Sequence, residues 1–309
     1  MSANTDLRTA IHLLTQGDRK KAAAILLRIN GVITDGQTRL EFIDASLSAL
    51  DPLDQNDRLC DLALEGISIA RGLGQENLVP HFMARRANLL MMKVAAAHHS
   101  RASLSLAPSW IAFSTEQDLR RYESLTSDLE RLEKEVDDLL GNAVRIAEQR
   151  ADERLLGFVL MDRGSVTSSR YLQYKSDYLR NPIRAKAWVQ WRMLRYPLFE
   201  RFGLFSRAQG RLLNALVKSF TSDFLRAAAL FGRCGDPQGA SAYYNLANHL
   251  RTAYRFRAAR RYLRRARRLA DQHGNRLVSQ QCARLETVIK KRNRDVPDYL
   301  KGERRESTP

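Results

Sequence analysis

Residues 240–273 read ASAYYNLANHLRTAYRFRAARRYLRRARRLADQH. In the first half Tyr243, Leu246, Ala247 and Leu250 recur three and four residues apart, and Phe256, Ala259, Leu263, Ala266 and Ala270 do the same in the second. Such spacing collects each set on one face of an α-helix, so the stretch predicts helices over 238–253 and 256–272. Ala247, Ala259 and Ala266 are small enough to let the two helices approach closely. The second helix also carries Arg257, Arg260, Arg261, Arg264, Arg265, Arg267 and Arg268. At 100° per residue these seven arginines span an arc of about 160°, and the apolar residues fill the remainder.

Outward from this stretch the same periodicity continues. Leu7 to Ile29 predicts two short helices around Gly17-Asp18, where the glycine stops one and the aspartate caps the next. Further helices are expected at 37–50, 55–72, 76–98, 116–150, 151–180, 208–232 and 275–293, and no alternating run is long enough to argue a strand. Within 116–150, Tyr122, Leu125, Leu129, Leu132, Val136, Leu139, Ala143 and Ile146 form a heptad seam interrupted at Gly141. A homodimer through 122–146 and the first arm of an intramolecular hairpin both fit that seam. Residues 100–115, rich in Ser and Ala and holding Pro108, read as a linker. The organisation expected is helical repeats over 1–99, a basic helical region over 116–292, and a disordered tail over 293–309.

The chain also resembles itself. Ile69-Ala70-Arg71-Gly72-Leu73-Gly74 aligns with Ile146-Ala147-Glu148-Gln149-Arg150-Ala151 and with Leu269-Ala270-Asp271-Gln272-His273-Gly274. Each copy ends one helix, makes a polar turn and starts the next.

On these residues, 240–273 resembles a tetratricopeptide repeat, a helix–turn–helix unit. Tyr243 stands at the family's Trp position, Leu246-Ala247 at its Leu-Gly and Leu250 at its Tyr. Phe256 matches the inter-helix aromatic, and Ala259, Leu263 and Ala266 match the second helix; Asp271 replaces the closing Pro. The first hairpin is similar through Ala10, Gly17, Ala22 and Leu26, whereas 100–235 does not follow the period. The resemblance implies an all-α solenoid of stacked antiparallel hairpins that binds protein segments. Its first helices line a groove, which here would present Tyr244, Asn248 and Arg251. Carboxylate-clamp members carry Lys where Tyr244 stands, which argues against capture of a C-terminal carboxylate.

The 309 residues are 44% hydrophobic and carry a net charge of +17. Charge is unevenly placed. Residues 1–158 hold 19 Lys and Arg against 23 Asp and Glu, while 159–309 hold 32 against 11. A field of that sign attracts nucleic acid, anionic lipid or an acidic protein surface. Arg outnumbers Lys 41 to 10, as a GC-rich coding bias would produce, but such bias does not explain the shortage of acid in the second half. A second basic stretch, 180–211, interleaves Arg192 and Arg195 with Trp188 and Trp191. These fit a nucleic acid or an anionic membrane interface, and also a buried core.

Catalytic signals are poor. There is no phosphate-binding glycine loop and no nucleophile-elbow or zincin motif. Cys60, His81, His98 and His99 lack metal-ligand spacing, so no metal or cofactor is expected. Arg268 and His273 fit an Arg-x4-His pattern seen in some helical ribonucleases, with helix capping the simpler role. Three distant cysteines and an N-terminus without an apolar run fit a cytoplasmic protein, and no span of 18 apolar residues is present. The expected function is a non-catalytic adaptor whose basic half binds an acidic partner, nucleic acid first. A purely protein-binding scaffold, or a peripheral membrane protein docking through 183–206, are the alternatives.

Overall fold

The computed structural model describes residues 3–104, 116–179, 207–253 and 255–294; 88% of these are helical, and no strand occurs among them. The helices are α1 (Ala3–Thr15), α2 (Arg19–Ile29), α3 (Gly36–Ala49), α4 (Pro52–Gly72), α5 (Val79–Leu104) and α6 (Glu116–Gln149). They continue with α7 (Glu153–Leu179), α8 (Arg207–Arg233), α9 (Gln238–Thr252), α10 (Phe256–Gln272) and α11 (Arg276–Arg294). The bounds follow the sequence periodicity closely. They agree to within four residues except at the end of α5, which runs to Leu104, into the stretch read as linker; α11 ends at Arg294, just inside the stretch read as tail. The remainder of both stretches, and the basic-aromatic segment with Trp188, Trp191, Arg192 and Arg195, lie outside the described residues.

Two compact units divide the chain, Met1–Val166 and Thr167–Pro309. In the first, each helix from α1 to α6 packs on its chain neighbour, and α1 also reaches α3. In the second, α8 packs on α9, α9 on α10 and α10 on α11, with α9 also touching α11. Neighbour-on-neighbour packing of this kind is the all-α, solenoid-like arrangement the periodicity predicts.

The turns explain the internal similarity. The sixth residue of each copy, Gly74, Ala151 and Gly274, sits in the left-handed region with φ of 68°, 53° and 66°. In that geometry the next amide reaches back to close the helix: Gln75 N–H donates to Ala70 O and Asn275 N–H to Ala270 O, both at 2.8 Å. Asp152 and Asn275 then cap the following helices by accepting from Leu155 N–H at 2.9 Å and Val278 N–H at 3.1 Å. Gly17 (φ 85°) and Asp18, which accepts from Lys21 N–H at 3.3 Å, do both jobs between α1 and α2, as the sequence predicts.

The helix expected over 116–150 runs through Gly141 without a break. One reading of its seam is corrected: α6 packs on α5, the preceding helix, and is therefore the second arm of a hairpin. Arg86 donates to Glu135 at 2.8 Å and His98 lies 3.3 Å from Glu133 across that interface. Leu129, Val136 and Ala143 of the seam are buried together with Leu140, Val144 and Ala147.

Gly66 brings α4 close against α5. A Cβ added to Gly66 would lie 3.0–3.1 Å from the ring of Phe82, which is itself buried in the core. The ring has no room to retreat, so Gly66→Leu is expected to cost about 3 kcal/mol by overpacking. Thermal or chemical denaturation checks this, against Leu64→Ala on the exposed face of the same helix as the near-neutral control.

Candidate functional site

In α10 the 3.6-residue period separates charge from core completely. Ala259, Leu263, Ala266 and Ala270 are buried, and Phe256, Ala258, Tyr262 and Leu269 are half-buried. All seven arginines are exposed. They are not equivalent. Arg267 lies 3.8 Å from Glu286 of α11. The Lys290 ammonium, then Arg267 and Arg260, hold the Glu286 carboxyl below the usual carboxylate range. On the opposite flank the Arg265 guanidinium sits 5.9 Å from the ring centre of Tyr243 on α9 and 6.0 Å from that of Tyr262. Those two rings stack on one another, 6.1 Å between centres and 9° from parallel.

Between these flanks lie Arg257, Arg261, Arg264 and Arg268. Helical geometry puts them within an arc of about 60° and along about 16 Å of axis, a ridge. None forms an ion pair with a described carboxylate. The sequence supplied the arginine face; its subdivision into an aromatic edge, a ridge and an acidic edge was not legible, because Tyr243 and Glu286 come from neighbouring helices.

The groove positions fall together on α9. Arg251 donates from Nε and Nη2 to Asn248 Oδ1 at 3.2 and 3.1 Å. Tyr244 is half-buried one turn earlier, and burial, with Cys282 beside it, raises its hydroxyl above the ordinary tyrosine value while Arg251 opposes. His273 is exposed at the C-cap of α10, where its N–H donates to Leu269 O at 3.0 Å.

Two further constellations have no sequence signal. In the first unit a cavity of about 520 Å³ is lined by α3, the α4–α5 turn, α5 and the start of α7. On its wall His81 Nε2–H donates to Asp44 Oδ1 at 2.8 Å. Burial would raise the Asp44 carboxyl, but the His81 hydrogen bond, and the charges of His81 and Arg85, outweigh it and hold it low. These partners are 37 residues apart, beyond any local motif. In the second unit Ser168 Oγ and His249 Nδ1 share a 2.7 Å hydrogen bond. His249 stacks on Phe224 at 5.3 Å, with Phe220 at 6.1 Å, and burial, reinforced by Arg251, pushes its pKa down to about 4. Ser168, Phe220 and Phe224 are fully buried. The pair is a polar knot set against an aromatic core.

Among the described residues no group of three or more His, Cys, Asp or Glu is placed to hold a metal ion, and no helix is long and apolar enough to cross a membrane. Burial raises the Cys60 and Cys282 thiols, the latter to about 11, so neither is a ready thiolate at neutral pH. No protein-family model matches the chain, and no curated protein matches it.

Proposed function

We propose that this chain is a cytoplasmic, non-catalytic adaptor of the tetratricopeptide type whose second unit grips nucleic-acid phosphates. The observation that carries the reading is the ridge of Arg257, Arg261, Arg264 and Arg268, exposed and without described carboxylate partners. Like charges this close repel along an isolated helix, and an anionic strand relieves that repulsion. Guanidinium forks also match phosphate oxygens in geometry. The tetratricopeptide assignment is supported by α9 and α10 spanning the matched repeat, with Leu246, Ala247, Leu250, Ala259, Leu263 and Ala266 all buried.

Phosphate contacts release counterions, so affinity for any sequence falls steeply with salt. Changing the four ridge arginines to Gln keeps helix propensity and removes four charges. The log–log salt slope is expected to shrink by about three, with folding unchanged. Retained affinity and slope in the quadruple variant, or no binding by wild type at physiological salt, would remove this reading.

A protein-binding scaffold is the second reading, and the observation that favours it is the 520 Å³ cavity of the first unit, with Asp44, His81 and Arg85 on its wall. Pull-downs with and without nuclease separate the two: partners retained after nuclease digestion support the scaffold. Anionic vesicles serve as the membrane arm of the same experiment.

A further inference from the structure

Resting on that phosphate-binding reading, we infer that the α10 face selects single-stranded over double-stranded nucleic acid, with phosphates on the ridge and bases against the Tyr243–Tyr262–Arg265 stack.

The inference comes from the asymmetry of the two flanks. Around the helix, Tyr262 precedes Arg265, then come Arg261, Arg268, Arg257 and Arg264, and finally Arg260 and Arg267 beside Glu286. Phosphate is favoured along the middle. Along the α11 edge the attraction is weaker, because Glu286 already takes up part of the charge of Lys290 and Arg267. The α9 edge offers the opposite chemistry. Two half-buried tyrosine rings lie parallel, and a guanidinium is held about equally far from both. Arg261 approaches Tyr262 as well, at 5.9 Å.

A single strand has the matching asymmetry, with anionic phosphates along one side and flat aromatic bases on the other. Bases stack on tyrosine rings and on guanidinium planes, and they do so regardless of sequence because every base has a π-face. In a duplex those faces are already stacked and paired, so only the phosphates remain to be gripped. An acidic protein surface would use the ridge but has no use for the aromatic edge. The cation–π contacts also hold Arg265 in place before the strand arrives, which lowers the ordering cost of binding.

Charge alone predicts the reverse preference, since a duplex carries the denser phosphate charge. That makes the test discriminating. The probes are a fluorescein-labelled 20-nucleotide oligothymidylate, the oligouridylate of equal length, and the duplex of the DNA strand with its complement. With the full chain at one salt concentration, the single strands are expected to bind about tenfold more tightly than the duplex, from one stacked base. Tyr243→Leu with Tyr262→Leu keeps apolar volume in these half-buried positions. It is expected to abolish the preference while leaving duplex affinity and salt slope unchanged. A second measurement needs no variant: 5-bromodeoxyuridine placed in the oligonucleotide should photocrosslink to Tyr243 or Tyr262 of the wild-type protein. Duplex binding as tight as single-strand binding overturns the inference, as does a folded double variant that keeps the preference, or crosslinks confined to other sites. In each of these cases a ridge-dependent salt slope leaves the phosphate reading standing; failure of wild type to bind either form removes both.

Discussion

Acidification from pH 7 to pH 4 is expected to destabilise the second unit by about 3 kcal/mol through one residue, His249. In the fold its pKa lies at about 4, against an ordinary value of 6.5, because burial among Phe220, Phe224 and Ser168 disfavours the imidazolium. The unfolded chain therefore takes up a proton that the folded chain refuses. The stabilisation is fully present above pH 6.5 and is lost progressively as pH falls towards 4. Each pH unit of difference corresponds to about 1.4 kcal/mol, which sets the magnitude. Chemical denaturation across this range, with hydrogen exchange of the α8 and α9 amides, measures it. His249→Gln keeps a partner for Ser168 and does not titrate, so its stability should be flat between pH 6.5 and 4.5. A wild type equally flat there would show that His249 is not buried as described.

The second large effect concerns the register of α10. Ala259 and Ala266 are fully buried, so Ala259→Arg or Ala266→Arg forces both volume and a permanent charge between helices. A loss of about 4 kcal/mol each is expected, and unfolding of the second unit where its margin is smaller. The comparison is Arg264→Gln, one position beyond Leu263 on the opposite face, where exposed substitutions usually stay within about 0.5 kcal/mol. Wild-type denaturation midpoints in both alanine variants would mean that the apolar face has been assigned to the wrong side.

These two predictions differ in where they come from. The faces of α10 are legible in the sequence because Arg and Ala alternate at three and four with no ambiguous residue between them, and the structure keeps that segregation. Helix ends were legible for a similar local reason: Gly17-Asp18 and Gly274-Asn275 carry their own stop and cap. His249 was not legible. Its environment is assembled from Ser168 on α7 and Phe220 and Phe224 on α8, and no spacing within α9 announces them. The partner of α6 was hidden too, since a heptad seam fixes which face is apolar but not which neighbour covers it. Gly141 leaves the helix expected over 116–150 unbroken, because the roughly 1 kcal/mol helix cost of one glycine is small beside the packing of a 34-residue helix. The candidate site follows the same division. The arginines were readable from one helix, whereas the tyrosine and glutamate edges required the fold.

The shared turn at Gly74, Ala151 and Gly274 has a consequence for how such a chain can change length. Each copy closes its helix with bonds to the preceding turn, and the caps of α7 and α11 belong to the same few residues. Such a boundary contains its own instructions and borrows little from elsewhere in the molecule. Because helices rest chiefly on their immediate neighbours, a hairpin inserted or removed at one of these points replaces one packing interface with a similar one. Each unit is thus modular in the manner of a chain of links. Within either unit, a whole hairpin can be added or lost as one such link without redesign of its neighbours.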